Sequence, residues 1–204
     1  RLLTVGLLLL IAVHFIFSVA NNLNHPIFPW DAFTTWMYRA KAWVLDDAIT
    51  PLIYSGEWLT KGGGESFAIY ANKYPPTLSI LAAFPTSLAD GWNARAASLP
   101  WSFALLALAF TSFGAARLAG HSRVISLLGV YFLSSLALLT AHASLAGYGD
   151  IWMALSSGTG LALLLVWRVA GSPTALWLGL SLLAVGTQFK TEGWLWLGLG
   201  FAFI

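Results

Sequence analysis

Long apolar runs separated by short polar breaks set the pattern of this chain. Leu2 to Ala20, Ala96 to Ala116, Val124 to Ala141 and Ile151 to Val169 each approach the roughly 20 residues that a helix needs to cross a bilayer. A shorter run covers Ala175 to Phe189, and another begins near Gly193. The pattern predicts an all-α polytopic membrane protein with about six transmembrane spans, read as a single module over residues 1–204. Pro76 to Leu88 is apolar too, but it is only about a dozen residues long, follows Pro75 and contains Pro85. It reads as an interfacial helix rather than a span.

Residues 21–95 then form one long external loop after the first span. Within it, Asp31 to Leu45 has helical spacing: Phe33, Trp36, Met37, Ala40, Trp43 and Val44 share a face, with Arg39 and Lys41 on its opposite edges. The expectation is an amphipathic helix lying in the membrane interface, its basic side chains reaching up to lipid headgroups. The Gly62-Gly63-Gly64 run marks a hinge or turn.

Charge arbitrates the topology. With six spans, the short loops carrying Arg117, His121 and Arg123, and then Arg168, share a side with Arg1 and contain no acidic residue. All eight carboxylates fall on the other side. Counting Pro76 to Leu88 as a span would export Arg117 and Arg123 and reverse the bias. The composition agrees with the membrane class, with 58% hydrophobic and 9% charged residues. A net charge of +2 without a basic run argues against a nucleic-acid partner. Cys is absent, so disulfides and thiolate metal sites are excluded.

Against this background the charges at the ends of apolar runs stand out. Asp31 and Asp150 each have a plain reading as a helix cap, Asp31 after Pro29-Trp30 and Asp150 after the Gly147-Tyr148-Gly149 turn. The topology nevertheless puts Asp31, Lys73-Tyr74-Pro75-Pro76, Tyr148 to Asp150 and Lys190-Thr191-Glu192 at one membrane face. Ionisable groups of both signs gathered at that depth indicate a site. Lys and Arg there would offer counter-charge to a lipid-borne phosphate, and a carboxylate would serve as base for a hydroxyl nucleophile.

At these residues the chain resembles a known family. Trp30-Asp31-Ala32 with Trp36 and Arg39-Ala40-Lys41-Ala42, then Tyr74-Pro75-Pro76, Ala146-Gly147-Tyr148-Gly149-Asp150 and Lys190-Thr191-Glu192-Gly193 follow the order seen in bacterial GT-C fold glycosyltransferases. These are relatives of protein O-mannosyltransferases and aminoarabinose transferases. Two departures are Thr191, where Asn is expected, and Gly149, where Ala is more usual. The resemblance implies the N-terminal module of a longer enzyme of the bacterial inner membrane. That enzyme would move a sugar from a polyprenyl-phosphate donor to a hydroxyl acceptor on the outer face, with inversion.

In such families the acidic residue early in the first external loop is catalytic, which maps to Asp31 as general base. Lys73 and Lys190 are candidates to hold the phosphate, with Arg39 a weaker one. Asp150 and Tyr148 are candidates for orienting acceptor or sugar, and Glu192 for pairing with Lys190 or binding a sugar hydroxyl. Some GT-C enzymes use a divalent metal, for which Asp31, Asp150 and His142 are the residues to consider. With no Asp-x-Asp pair, neither metal nor other cofactor is expected. His142 has the plain reading of an interfacial turn residue. Gly158, Gly160, Gly179 and Gly186 are expected to permit close helix packing. The alternative function is a non-catalytic subunit of a larger membrane complex that keeps this fold.

Overall fold

The computed structural model describes residues 1–60, 66–69 and 73–204. The Gly62-Gly63-Gly64 hinge expectation lies outside the described residues. The first apolar run forms helix α1, Leu2–Asn24. The polar segment after it turns into a helix whose first stretch, Ala32–Trp36, is a π turn continuing directly as α2, Met37–Asp46. A short parallel strand pair follows, β1 Leu52–Tyr54 and β2 Phe67–Ile69, with helix α3 Ser55–Thr60 between them. It had no signal in the hydrophobic pattern, since each strand is three residues long.

Helix α4, Thr77–Ser87, accommodates Pro85 and leads to α5, Ala94–Leu118. Asn93 caps α5 by accepting from the Arg95 and Ala96 backbone amides. The run expected over Val124 to Ala141 is not one helix. It is α6, Arg123–Ser134, and α7, Ala137–Ser144, bent by 65° at the break. Ser134 and Ser135 sit at that break, where their hydroxyls turn back onto the carbonyls of Tyr131 and Phe132 and compete with the helical ladder. Beyond it come α8, Asp150–Met153, a second π turn at Ala154–Gly158, α9, Thr159–Ala170, α10, Pro173–Gly186, and α11, Gly193–Phe203.

This is a membrane protein, built mainly of helices. Leu2–Asn24, Ala94–Leu118 and Asp150–Ala170 are each long and apolar enough to cross a bilayer, and the bent pair α6–α7 makes a fourth if taken together. Leu2, Leu9, Val13 and Ile16 leave α1 greasy on its outer surface, as lipid contact requires. Its inner face is polar: Ser18 and Ser102 share a hydrogen bond of 3.0 Å, and the Asn22 amide donates to Ser102 Oγ and to the Ala143 carbonyl. These bonds tie α1, α5 and α7 together where apolar contact alone would not distinguish helix from lipid.

α9 and α10 approach closely because Gly160 faces the Gly179 carbonyl and Gly179 faces that of Gly160. Added Cβ atoms would lie 3.0 and 2.9 Å from those oxygens. Gly186 likewise faces the Ser156 and Ser157 hydroxyls, whereas Gly158 faces open space. Three of the four expected packing glycines therefore do pack, and the fourth does not.

α5 and α9 run in the same direction: Trp101 meets Tyr148, Thr111 meets Thr159, and Ala115 packs with Leu163 and Ala175. One end of the bundle thus gathers the ends of α1, α7 and α10 and the starts of α5, α8 and α11. The opposite end carries Arg1, Arg117, His121, Arg123 and Arg168, and no carboxylate among the described residues.

The apolar face expected to lie on the membrane is in part packed against the protein. Ala32, Trp36, Met37 and Ala40 join Leu78 and Ala82 of α4 and Ala97 and Trp101 of α5 in one core, so this face is covered by protein rather than lipid. Arg39 is accordingly 4% exposed and is not at a headgroup. Lys41, on the opposite edge, remains exposed.

Two expectations follow. Gly179→Leu should cost about 1–3 kcal/mol by forcing α9 and α10 apart, read as a lowered melting temperature in detergent. Thr191 and Ala89 are exposed at one end and Thr174 at the other. Single Cys replacements at the first two should react with an impermeant thiol reagent from one side of the membrane, and Thr174→Cys only from the other. Labelling of all three from the same side would mean that the bundle does not cross the membrane.

Candidate functional site

At the carboxylate-rich end, the residues singled out in the sequence come together from four separate segments. The junction is a contact between two backbones. Gly147, with φ of 117°, packs against Ala32, so close that a Cβ on Gly147 would overlap the Ala32 side chain and lie 2.9 Å from its Cα. Trp101 holds the same turn from below, donating from Nε1 to the Tyr148 carbonyl at 2.7 Å. Beneath lies an aromatic floor: Trp101 meets Trp152 edge to face at 6.0 Å, and Phe189 lies 5.3 Å from Trp152.

Asp31 is at the start of the first π turn, in helical conformation, and its side chain caps no amide. The cap reading therefore fails, because the residue is already inside the helical stretch that begins at Trp30. Its partly buried carboxylate has no hydrogen-bond or ion-pair partner among the described residues. It lies near enough to Tyr74 to help raise that phenol's pKa.

Asp150 also caps nothing. It accepts from Lys190 Nζ at 3.2 Å through one oxygen, and its other oxygen lies 3.7 Å from His142 Nδ1. The Lys190 stem runs past Gly149, where a Cβ would lie 2.9 Å from its Cδ, and its ammonium sits 5.9 Å above the Trp36 ring. Glu192 was a candidate partner of Lys190, but it accepts instead from Tyr74 Oη at 3.3 Å and from Thr191. Tyr74 is fixed from behind by Arg39, which donates to its carbonyl at 3.0 Å.

Arg39 thus buttresses the Tyr74 segment and sits over the Trp43 ring at 6.0 Å. Burial works against its charge and lowers its pKa from the ordinary value. Lys73 is exposed beside Tyr74 and makes no ion pair among the described residues. Tyr148 is stacked face to face on His142 at 4.6 Å, which brings into the cluster a residue whose plain reading from the sequence is an interfacial turn residue. The described residues contain no group of three His, Asp or Glu side chains able to hold a metal ion.

Burial of Lys190 alone would lower its pKa, but the Asp150 charge and hydrogen bond, with Glu192 and Tyr74 behind them, more than offset it and leave it raised above 10.5. Tyr74 is pushed above 10.0 by burial and by the charge of Glu192. At neutral pH the site therefore holds an ammonium and a protonated phenol among three carboxylates. A cavity of about 630 Å³ lies elsewhere, between the end of α2 and α4, lined by Trp43, Asp47, Phe84 and Asp90. It contains none of the clustered cations.

Comparison with protein-family models, with curated proteins and with solved structures finds no match.

The geometry makes two predictions. Gly147→Ala should destabilise the fold by at least about 1–3 kcal/mol, the range for a residue held in a strained backbone conformation, while Ala89→Ser at an exposed position leaves it unchanged. Lys190 has its pKa raised in the fold, so the stability it contributes is fully present below 10.5 and is lost as pH rises past that value. Chemical denaturation of Lys190→Met should lack that part of the alkaline decline seen in the unsubstituted protein. Because Asp150 is 45% exposed, solvent screens the pair and the loss should be about 1 kcal/mol or less.

Proposed function

We propose that this chain is the membrane module of an inverting GT-C glycosyltransferase, which moves a sugar from a polyprenyl-phosphate carrier to a hydroxyl acceptor at the outer face of the membrane. The observation that carries the reading is the uncapped, unpaired carboxylate of Asp31 beside a cluster of fixed cations and hydroxyls. Such a carboxylate is available to take a proton, and a charge left unpaired in a partly desolvated place is costly unless it has a use.

In the proposed reaction the acceptor hydroxyl attacks the anomeric carbon while its proton passes to Asp31. The bond from that carbon to the carrier phosphate breaks, and the phosphate leaves with the electron pair. It departs as a stable anion, so counter-charge serves in place of a general acid. Lys190 supplies that charge with its ammonium held by Asp150, and Lys73, exposed at the rim, supplies more. Tyr74, Tyr148, His142 and Glu192 offer the polar edges and ring faces that sugar hydroxyls and an apolar sugar face require. Arg39 acts by holding the Tyr74 segment.

The same reading takes six spans, with α10 and α11 crossing as well, the basic end in the cytoplasm and the site facing the periplasm of a bacterial inner membrane. Arg1, Arg117, Arg123 and Arg168, gathered at the end that carries no carboxylate among the described residues, support that orientation. Asp31→Asn is isosteric and removes the base. It should lower transfer from a lipid-linked donor by about 10²–10⁴-fold with expression and melting temperature unchanged, measured by product formation in membranes. Full transfer by Asp31→Asn would favour the non-catalytic subunit.

A further inference from the structure

At the basic end, away from the sugar-transfer cluster, a groove of about 490 Å³ runs between α5 and α9. Its walls are mostly small residues, among them Ala116, Ala119, Gly158 and Ala162, and it extends from Leu108 to His121. At 1.5 Å per residue the stretch Leu108 to Ala119 is about 16 Å long, a good part of one leaflet. Gly158 contributes a Cβ-less position that meets nothing within 4 Å, so the second π turn leaves space there rather than a helix contact.

The mouth of the groove is cationic. Arg117 donates to the His121 carbonyl, which holds its guanidinium at the opening, and Arg123 begins α6 two residues beyond His121. No carboxylate lies at this end among the described residues to neutralise them. We propose that the groove holds one acyl chain of an anionic phospholipid whose phosphate is met by Arg117 and Arg123. The apolar slot suits the chain, and a guanidinium fork suits a phosphate oxygen pair. This inference needs only that the bundle sits in a membrane, and stands or falls separately from sugar transfer.

Native mass spectrometry of the full chain, released from detergent with phosphatidylglycerol or phosphatidylcholine of matched chains, tests it. The unsubstituted protein should retain phosphatidylglycerol about tenfold better. The double variant R117Q/R123Q should retain the two lipids equally, and Gly158→Leu should retain neither, because its side chain fills the slot. Glycerol phosphate, which has no acyl chain, should not compete. Unchanged headgroup preference in R117Q/R123Q, wild-type retention by Gly158→Leu, or displacement by glycerol phosphate would each overturn the proposal. Should Gly158→Leu fail to fold, Ala116→Leu blocks the opposite wall, and the arginine variant decides the headgroup on its own.

Discussion

The charged cluster depends on one close approach of two backbones. Asp31 and Asp150 are more than a hundred residues apart, and the elements that carry them meet only because Gly147 offers no side chain where Ala32 arrives. From that contact the rest of the cluster is built outward. Trp36 comes under Lys190, Gly149 makes room for the lysine stem, and Tyr74 lies against Trp36 with ring centroids 5.4 Å apart. Buried aromatic rings on the span side then keep the turn from moving, and Trp101 is bonded to it directly.

The charges are arranged so that most of them neutralise one another and one does not. Lys190 is 13% exposed, a depth at which an unpaired ammonium would tend to shed its proton, and Asp150 prevents this. Glu192 is engaged by Tyr74, and Arg39 by the Tyr74 backbone. Asp31 alone among the three carboxylates is left without a hydrogen bond from the described residues. A structural cluster would be expected to satisfy all its members, since a half-satisfied buried network is the costliest kind.

Much of this was legible in the sequence, and the failures have physical causes. The apolar runs located the long helices, because lipid contact imposes a length and a composition that short windows reveal. Asp31, Tyr148, Asp150, Lys190 and Glu192 were legible because charge near a membrane boundary is rare. The break between α6 and α7 was hidden, since Ser134 and Ser135 are mild enough not to interrupt an apolar average. Arg39 was misplaced for a different reason: an amphipathic face is equally suited to lipid and to protein, and only the tertiary fold decides which covers it. His142 was read as a plain turn residue because its partners, Tyr148 and Asp150, lie across a turn. Gly158 and Gly160 are two residues apart and look alike, yet one meets a helix and the other meets space.

The first π turn bears on all of this. Its hydrogen bond runs from the Met37 amide to the Ala32 carbonyl, one residue further back than an α-helix would reach. The turn absorbs one residue, so everything before it is rotated by one position relative to the helix that follows. Ala32 takes the inward place that unbroken α-helical spacing assigns to Phe33, and Phe33 swings outward to 49% exposure beside Trp30. A phenyl ring facing Gly147 would have held the two backbones apart by its own thickness. The angular register of a single turn therefore decides whether this face of the molecule can close, and which side chain it carries when it does.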